Sequence, residues 1–281
     1  MKKPDFDAII LGAGAAGLMC ALTAARRGRS VLLVDHYGKL AEKLRISGGG
    51  RCNFTNLDMK PEHFLSANPH FVRSALARYA PQQFLDLMRK HGLGWNRKAD
   101  GQLFCDEGSE AIIKMLKDEC DEAGVRWRAP CEVTGVERAA DGSFSVATSR
   151  GTSSAKSLVV ATGGLSIPKI GASPYGYKLA EQFGLPIVKL KAGLVPLSFH
   201  PDEWQHYADL AGVAVKARVS FGKRAFTDDV LFTHRGLSGP AILQISSYWE
   251  PGQPLTFDLC PDLDLDELIA EHRQSRMLLA N

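Results

Sequence analysis

Gly12-x-Gly14-x-x-Gly17 follows directly on the run Asp7-Ala-Ile-Ile-Leu11 and opens an Ala-, Leu- and Arg-rich segment that Gly28 stops. The run predicts a short buried strand over 7–11, and the segment a helix over 15–27. Ser30-Val-Leu-Leu-Val-Asp35 predicts a second buried strand, so the unit is βαβ with a right-handed crossover. In such a unit Gly12 permits the tight turn, Gly14 lets a phosphate approach the backbone, and Gly17 lets helix and strand pack closely. The helix N-terminus, at Gly14-Ala15-Ala16, points free N–H groups and the positive end of its dipole at that phosphate. Asp35 stands where a carboxylate accepts hydrogen bonds from a ribose diol, and it disfavours a 2′-phosphate. These features predict a dinucleotide site for FAD or NAD.

A second glycine cluster follows in Arg45-Ile-Ser47-Gly48-Gly49-Gly50-Arg51-Cys52-Asn53-Phe-Thr-Asn56, inside a stretch, 36–60, with neither helical nor strand period. Successive glycines flanked by Ser47 and Arg51 form a nest of donors suited to anionic oxygens or the polar edge of a flavin. A simple NAD site has no use for a second cradle so soon after the first, which favours FAD. Lys43 and Arg45, just before the nest, are expected at phosphate. Ala161-Thr162-Gly163-Gly164 closes a further apolar strand, 157–164.

Elsewhere, helices are expected at about 70–79, 81–91 and 109–123, the last with Ser109 as N-cap. A hairpin is expected at Asp100-Gly101, and an antiparallel meander over 125–128, 131–138 and 143–149. From about 191 the chain turns β-rich, and it ends in an amphipathic helix over 263–281. The expected domains are therefore 1–190, α/β and Rossmann-like, and 191–281, β-rich.

Lys and Arg number 34 against 31 Asp and Glu, a net charge of +3. This gives no sign of a nucleic-acid partner. No apolar run reaches bilayer length and the N-terminus lacks a signal peptide's uninterrupted core, so a cytoplasmic protein without membrane contact is expected. The six cysteines show no CxxC pair or zinc spacing, so free thiols and no metal are expected. Cys52 lacks a partner for disulfide exchange. His234, in Thr233-His-Arg-Gly236, is the one weak candidate for a catalytic base.

The segments GAGAAGL, RISGGGRCNFTN, ATGGLSIPKIG and LFTHRGLSGPAILQIS together resemble the BaiN-like bacterial flavoproteins, a group that includes aminoacetone oxidase and a steroid reductase. The resemblance runs from Asp7 to about Ser247. It implies a two-dinucleotide-binding-type fold with an inserted β-rich domain, and FAD held by Gly12, Gly14, Gly17, Asp35 and the 48–53 loop, with ATGG passing nearby. Gly171-Ala-Ser-Pro-Tyr-Gly-Tyr177 departs from the family's GSTGDGY. The chain also ends without the Gly- and Asp-rich segment that closes such sites, so a truncated protein is expected. The function expected is an FAD-dependent oxidoreductase moving hydride between a small organic substrate and NAD(P)H or oxygen. The alternatives are a non-catalytic nucleotide-binding module and a flavin-dependent tRNA-modifying protein.

Overall fold

A computed structural model describes residues 3–98, 101–264, 267, 269 and 270. They form two compact units, Met1–Ile187 and Val188–Asn281.

In the first unit, β1 (Phe6–Leu11) leads through Gly12–Gly14 into α1 (Ala15–Arg26), and then to β2 (Val31–Val34). The predicted loop 36–60 is instead structured. It holds α2 (Glu42–Ile46), a 3-10 turn over Ser47–Gly50 and β3 (Asn53–Asn56). These elements are too short to show a period, which is why the sequence gives no sign of them. Next come α3 (Arg73–Arg78), α4 (Pro81–Lys90), β4 (Trp95–Arg97) and β5 (Gln102–Cys105). β4 and β5 pair antiparallel, and Asp100 of the expected hairpin turn lies outside the described residues. α5 (Ser109–Glu122) starts after Gly108, which takes the N-cap position expected of Ser109. The Ser109 hydroxyl instead donates to the Arg45 carbonyl at 2.8 Å, a long-range bond invisible to a local capping rule.

β6 (Arg126–Arg128), β7 (Val133–Arg138), β8 (Phe144–Thr148), β9 (Gly151–Val160) and α6 (Tyr175–Gln182) complete the unit. The main sheet runs β6-β2-β1-β9-β8-β7. β6, β2, β1 and β9 are mutually parallel, and β9, β8 and β7 form an antiparallel meander. The expected meander is therefore shifted by one strand. Residues 126–128 leave α5 to pair parallel with Leu32–Val34 at the opposite edge.

Both faces of β1 are covered, which explains its continuous apolar run. Ile10 packs with Leu18 and Leu22 of α1 and Ile112 and Leu116 of α5, while Ile9 and Leu11 pack with Val136, Val146 and Leu179. Each fully buried side chain of this size contributes about 2 kcal/mol. Behind α1, the buried Glu119 carboxylate is bonded to Arg26, to Lys90 at 2.6 Å and to His91 at 2.6 Å, tying α1, α4 and α5 together. Removing it would leave cations without their counter-charge.

In the second unit, β10 (Leu197–Ser198), α7 (Pro201–Trp204), β11 (Ala214–Phe221), β12 (Arg224–Thr233), β13 (Gly236–Ser238), α8 (Pro240–Ser246) and β14 (Thr256–Asp258) follow in order. The sheet is antiparallel, ordered β10-β13-β12-β11-β14. Ala241, Ile242 and Ile245 of α8 pack on Ala217, Val219 and Val230. Most of the expected helix 263–281 lies outside the described residues. Among those residues no helix is long and apolar enough to cross a membrane.

Candidate functional site

Parallel strands end together at the carboxyl edge of the main sheet, and ligands of open α/β sheets bind in the crevice there. A cleft of about 720 Å³ opens at that edge, a volume typical of small-molecule sites. Gly12, Gly14, Ala15 and Ala16 line it from the β1–α1 turn, and Asp35, His36 and Tyr37 from the end of β2. Lys43, Ser47, Cys52 and Asn53 line it from the α2–β3 segment, and Ala161, Thr162 and Gly163 from beyond β9. Four segments of the chain thus meet in one cleft.

The first turn is built by its glycines. Gly12 has φ +103°, and a Cβ there would lie 2.4 Å from the Ala161 carbonyl oxygen. A Cβ on Gly17 would lie 1.8 Å from the Gly12 carbonyl oxygen. Gly14, in contrast, faces open space. It offers α1 no capping side chain, and the first turn carries no acidic residue. The orphan N–H groups and the positive helix end are therefore available to an anion.

The Asp35 carboxylate is oriented by two backbone donors, Ala13 N–H at 2.6 Å and Tyr37 N–H at 2.8 Å. It therefore ties β2 to the glycine turn, and each of its oxygens, on the cleft lining, keeps capacity to accept a further hydrogen bond. Beside it lies a depression of about 400 Å³, with Leu11, Val34, Cys131, Val133 and Tyr175 among its lining. It shares Gly12, Asp35, His36 and Thr162 with the cleft. Sequence reasoning missed the 131–133 and 173–175 contributions, because nothing local marks a loop that tertiary pairing brings to a site.

The triple glycine does less at the cleft than its composition suggests. Gly48 is left-handed at φ +58°, and its Cβ would meet Phe104 Cε1 at 2.6 Å. The turn brings Ser47 and Cys52 back together, with Cys52 N–H donating to the Ser47 carbonyl at 3.0 Å. Gly48, Gly49, Gly50 and Arg51 are not in the cleft lining, while Ser47, Cys52 and Asn53 on either side are. The turn thus positions its neighbours. Cys52 is 1% exposed, and burial pushes its thiol above the ordinary range despite a hydrogen bond with Ser47.

Lys43 and Arg45 have protein partners. Lys43 Nζ donates to the Gly164 carbonyl at 2.9 Å, joining α2 to the turn after β9 and leaving the ammonium at the cleft wall. Arg45 pairs with Glu42 at 2.8 Å and with Glu110, and it is not in the cleft lining. Gly17 and Gly164 also stand behind the lining, the first in packing and the second as acceptor for Lys43. His234 belongs to the second unit, in the exposed turn between β12 and β13, where Thr233 Oγ1 donates to the Gly236 carbonyl. Among the described residues no group of His, Cys, Asp and Glu could hold a metal, and all six cysteines are free.

These residues fit FAD. The glycine turn and α1 suit its pyrophosphate, and Asp35 suits its adenosine ribose. The wall formed by Lys43, Cys52 and the tilted Phe54–Phe84 pair, with ring centroids 5.5 Å apart, leaves an apolar far end for a flat ring.

Comparison with known proteins adds a family. The HI0933-like protein Rossmann domain matches residues 6–222, and the HI0933-like protein barrel and H2TH domain matches residues 191–280. The ribosomal RNA dihydrouridine synthase of Escherichia coli is 49% identical over 271 residues, covering 96% of this chain and 68% of that protein. Its namesake from Haemophilus influenzae is 45% identical, covering 95% of this chain and 67% of that protein. The 3-dehydro-bile acid delta(4,6)-reductase of Clostridium scindens is 24% identical, covering 92% of this chain and 66% of that protein. The chain thus spans about two thirds of the length of these relatives. The BaiN-like resemblance holds only at the level of the wider family.

Proposed function

The chain belongs to the HI0933-like family, an FAD-dependent oxidoreductase fold, and from that premise we propose that it reduces uridine in ribosomal RNA to dihydrouridine. The observation that carries the reading is the 49% identity, across 96% of this chain, to a protein named for that reaction. FAD, held by Gly12–Gly17, the N-terminus of α1 and Asp35, would supply the hydride chemistry there, with NAD(P)H as the source of the reducing equivalents. Net, one hydride and one proton add across the C5=C6 bond of the base, and the nicotinamide is oxidised.

The chain's residues hold and shelter that chemistry. Gly12–Gly17 and the N-terminus of α1 take the pyrophosphate, and Asp35 takes the ribose diol. The depression lined by Leu11, Val34 and Val133 offers the adenine a flat apolar wall. Phe54 and Phe84 keep water from the far end of the cleft. Arg45 and Lys43 act as positioning residues, fixing α2 against α5 and against the turn after β9.

This reading sets aside the expectation of no nucleic-acid partner. A net charge of +3 averages over the whole chain and says nothing about where basic residues gather. A second reading, reduction of a small conjugated ketone, is favoured by the bile acid reductase relative. Both substrates are carbon–carbon double bonds activated by a carbonyl, so the cleft chemistry is shared.

The test is anaerobic incubation of the FAD-loaded chain with NADH or NADPH and ribosomal RNA from an Escherichia coli strain lacking its own relative. Dihydrouridine is then counted by mass spectrometry of the nucleosides. Nicotinamide-dependent appearance of dihydrouridine is expected. Oxidation of the reduced flavin by a 3-oxo-Δ4 steroid, with no dihydrouridine formed, would replace the first reading by the second.

A further inference from the structure

Between β3 and α4 the chain runs through residues 57–80, and this segment is dressed in a way the fold does not require. Phe54, shortly before it in the chain, and Phe84, shortly after it, line the cleft. Its large apolar side chains face water, with Phe71 74% exposed, Tyr79 42% and Phe64 40%. Within α3 and its entry, Val72 and Leu76, four residues apart, are partly buried, while Phe71, Arg73, Ala77 and Arg78 are exposed. One helical face therefore seats the segment, and the aromatic and basic groups are left outside.

Charge on the segment after Glu62 is one-sided. No Asp or Glu occurs between Glu62 and Asp86, whereas His63, His70, Arg73 and Arg78 do. Among the described residues neither Arg73 nor Arg78 has a carboxylate partner, in contrast to Lys60, which pairs with Asp58 at 2.8 Å. Exposed rings interleaved with unpaired guanidinium groups are the two elements by which proteins hold single-stranded nucleic acid. Bases of any identity stack on the rings, and phosphates meet the cations.

We propose that residues 63–79 grip the single-stranded RNA flanking the nucleotide presented to the cleft. Bases stack on Phe71 and Tyr79, and phosphates meet Arg73 and Arg78. The proposal rests on the reading of an RNA substrate given above. The segment is joined in sequence to the cleft wall at Phe54 and Phe84, so one stretch of chain connects the grip to the cleft.

The test uses the full FAD-loaded chain and a fluorescein-labelled uridine-rich RNA 12-mer, with anisotropy titrations at several salt concentrations. Phe71→Ala is expected to weaken binding about tenfold, the scale of one lost stacking contact, and Phe71→Trp to retain it. Arg73→Gln with Arg78→Gln is expected to lower the slope of log affinity against log salt by about 1.4. FAD content should be unchanged in each variant, since these side chains are exposed and outside the cleft.

Wild-type affinity and salt slope in all variants would overturn the proposal, and with dihydrouridine still formed the functional reading would stand. No RNA binding by the wild-type chain would also overturn it, and a simultaneous absence of dihydrouridine would remove the functional reading with it. If light scattering shows a wild-type dimer that Phe71→Ala converts to monomer with RNA affinity kept, the segment is a self-association surface instead.

Discussion

Gly17→Ala is expected to yield a protein that melts roughly 6–12 °C lower and purifies with under about a tenth of the wild-type flavin. The added methyl would lie 1.8 Å from the Gly12 carbonyl oxygen and 3.0 Å from its carbon, both backbone atoms. No rotamer change relieves that clash, so α1 must move off β1. Forced overpacking of this kind costs about 3 kcal/mol. The move also withdraws the N-terminus of α1 from the anion it would hold. Gly14→Ala separates the two effects, because nothing lies within 4 Å of its added Cβ and its φ of −79° suits alanine. That variant should melt within about 1 °C of wild type and still bind FAD more weakly, its methyl standing where the pyrophosphate approaches. Circular-dichroism melting with flavin absorbance on the same samples checks both. A normal melting temperature for Gly17→Ala would refute the packing argument.

Asp35→Ala is expected to raise the Kd for FAD by at least about 100-fold while leaving the fold intact. Its carboxylate accepts from Ala13 N–H at 2.6 Å and Tyr37 N–H at 2.8 Å and faces the cleft between them. Hydrogen bonds to a charged group contribute about 1.5–3 kcal/mol, and truncation leaves two backbone donors unpaired as well as the ribose diol without its acceptor. Asp35→Asn should fall between, at about tenfold. Its amide keeps one acceptor oxygen and turns an NH2 toward one of the two donors. Fluorescence titration of the stripped variants with FAD reads both values. Unaltered affinity in Asp35→Ala would mean that the carboxylate only ties β2 to the turn.

The contrast between these positions and the rest of the site shows what a sequence can reveal. Gly12, Gly14, Gly17 and Asp35 were legible because each answers a local demand: a positive φ, a close backbone approach, a helix against a strand, a carboxylate at a strand end. The fold class followed from the same unit, with its apolar strands and helix. The α2–β3 segment was not legible, since its elements are held by distant partners, Phe104 against Gly48 and Arg45 against Glu110 and Ser109. Lys43, expected at phosphate from its position before the nest, lines the cleft, and its bond to the Gly164 carbonyl, which spans 121 residues, was not foreseeable from that position. The displaced meander has the same origin. Residues 126–128 and 133–138 have equally strand-like sequences, and only the open edge of β2 decides that the first pairs there. The Cys131–Val133 wall of the adjoining depression follows from that pairing, so it could not be found before it.

The most direct test is titration of the flavin-stripped wild-type chain with FAD, followed by competition with ADP and with FMN. In the proposed reading the glycine turn, α1 and Asp35 hold the adenosine and pyrophosphate. That reading therefore predicts saturable binding of one FAD per chain, displaced by ADP and indifferent to FMN at the same concentration. An absence of saturable binding, or displacement by FMN and not by ADP, would contradict it.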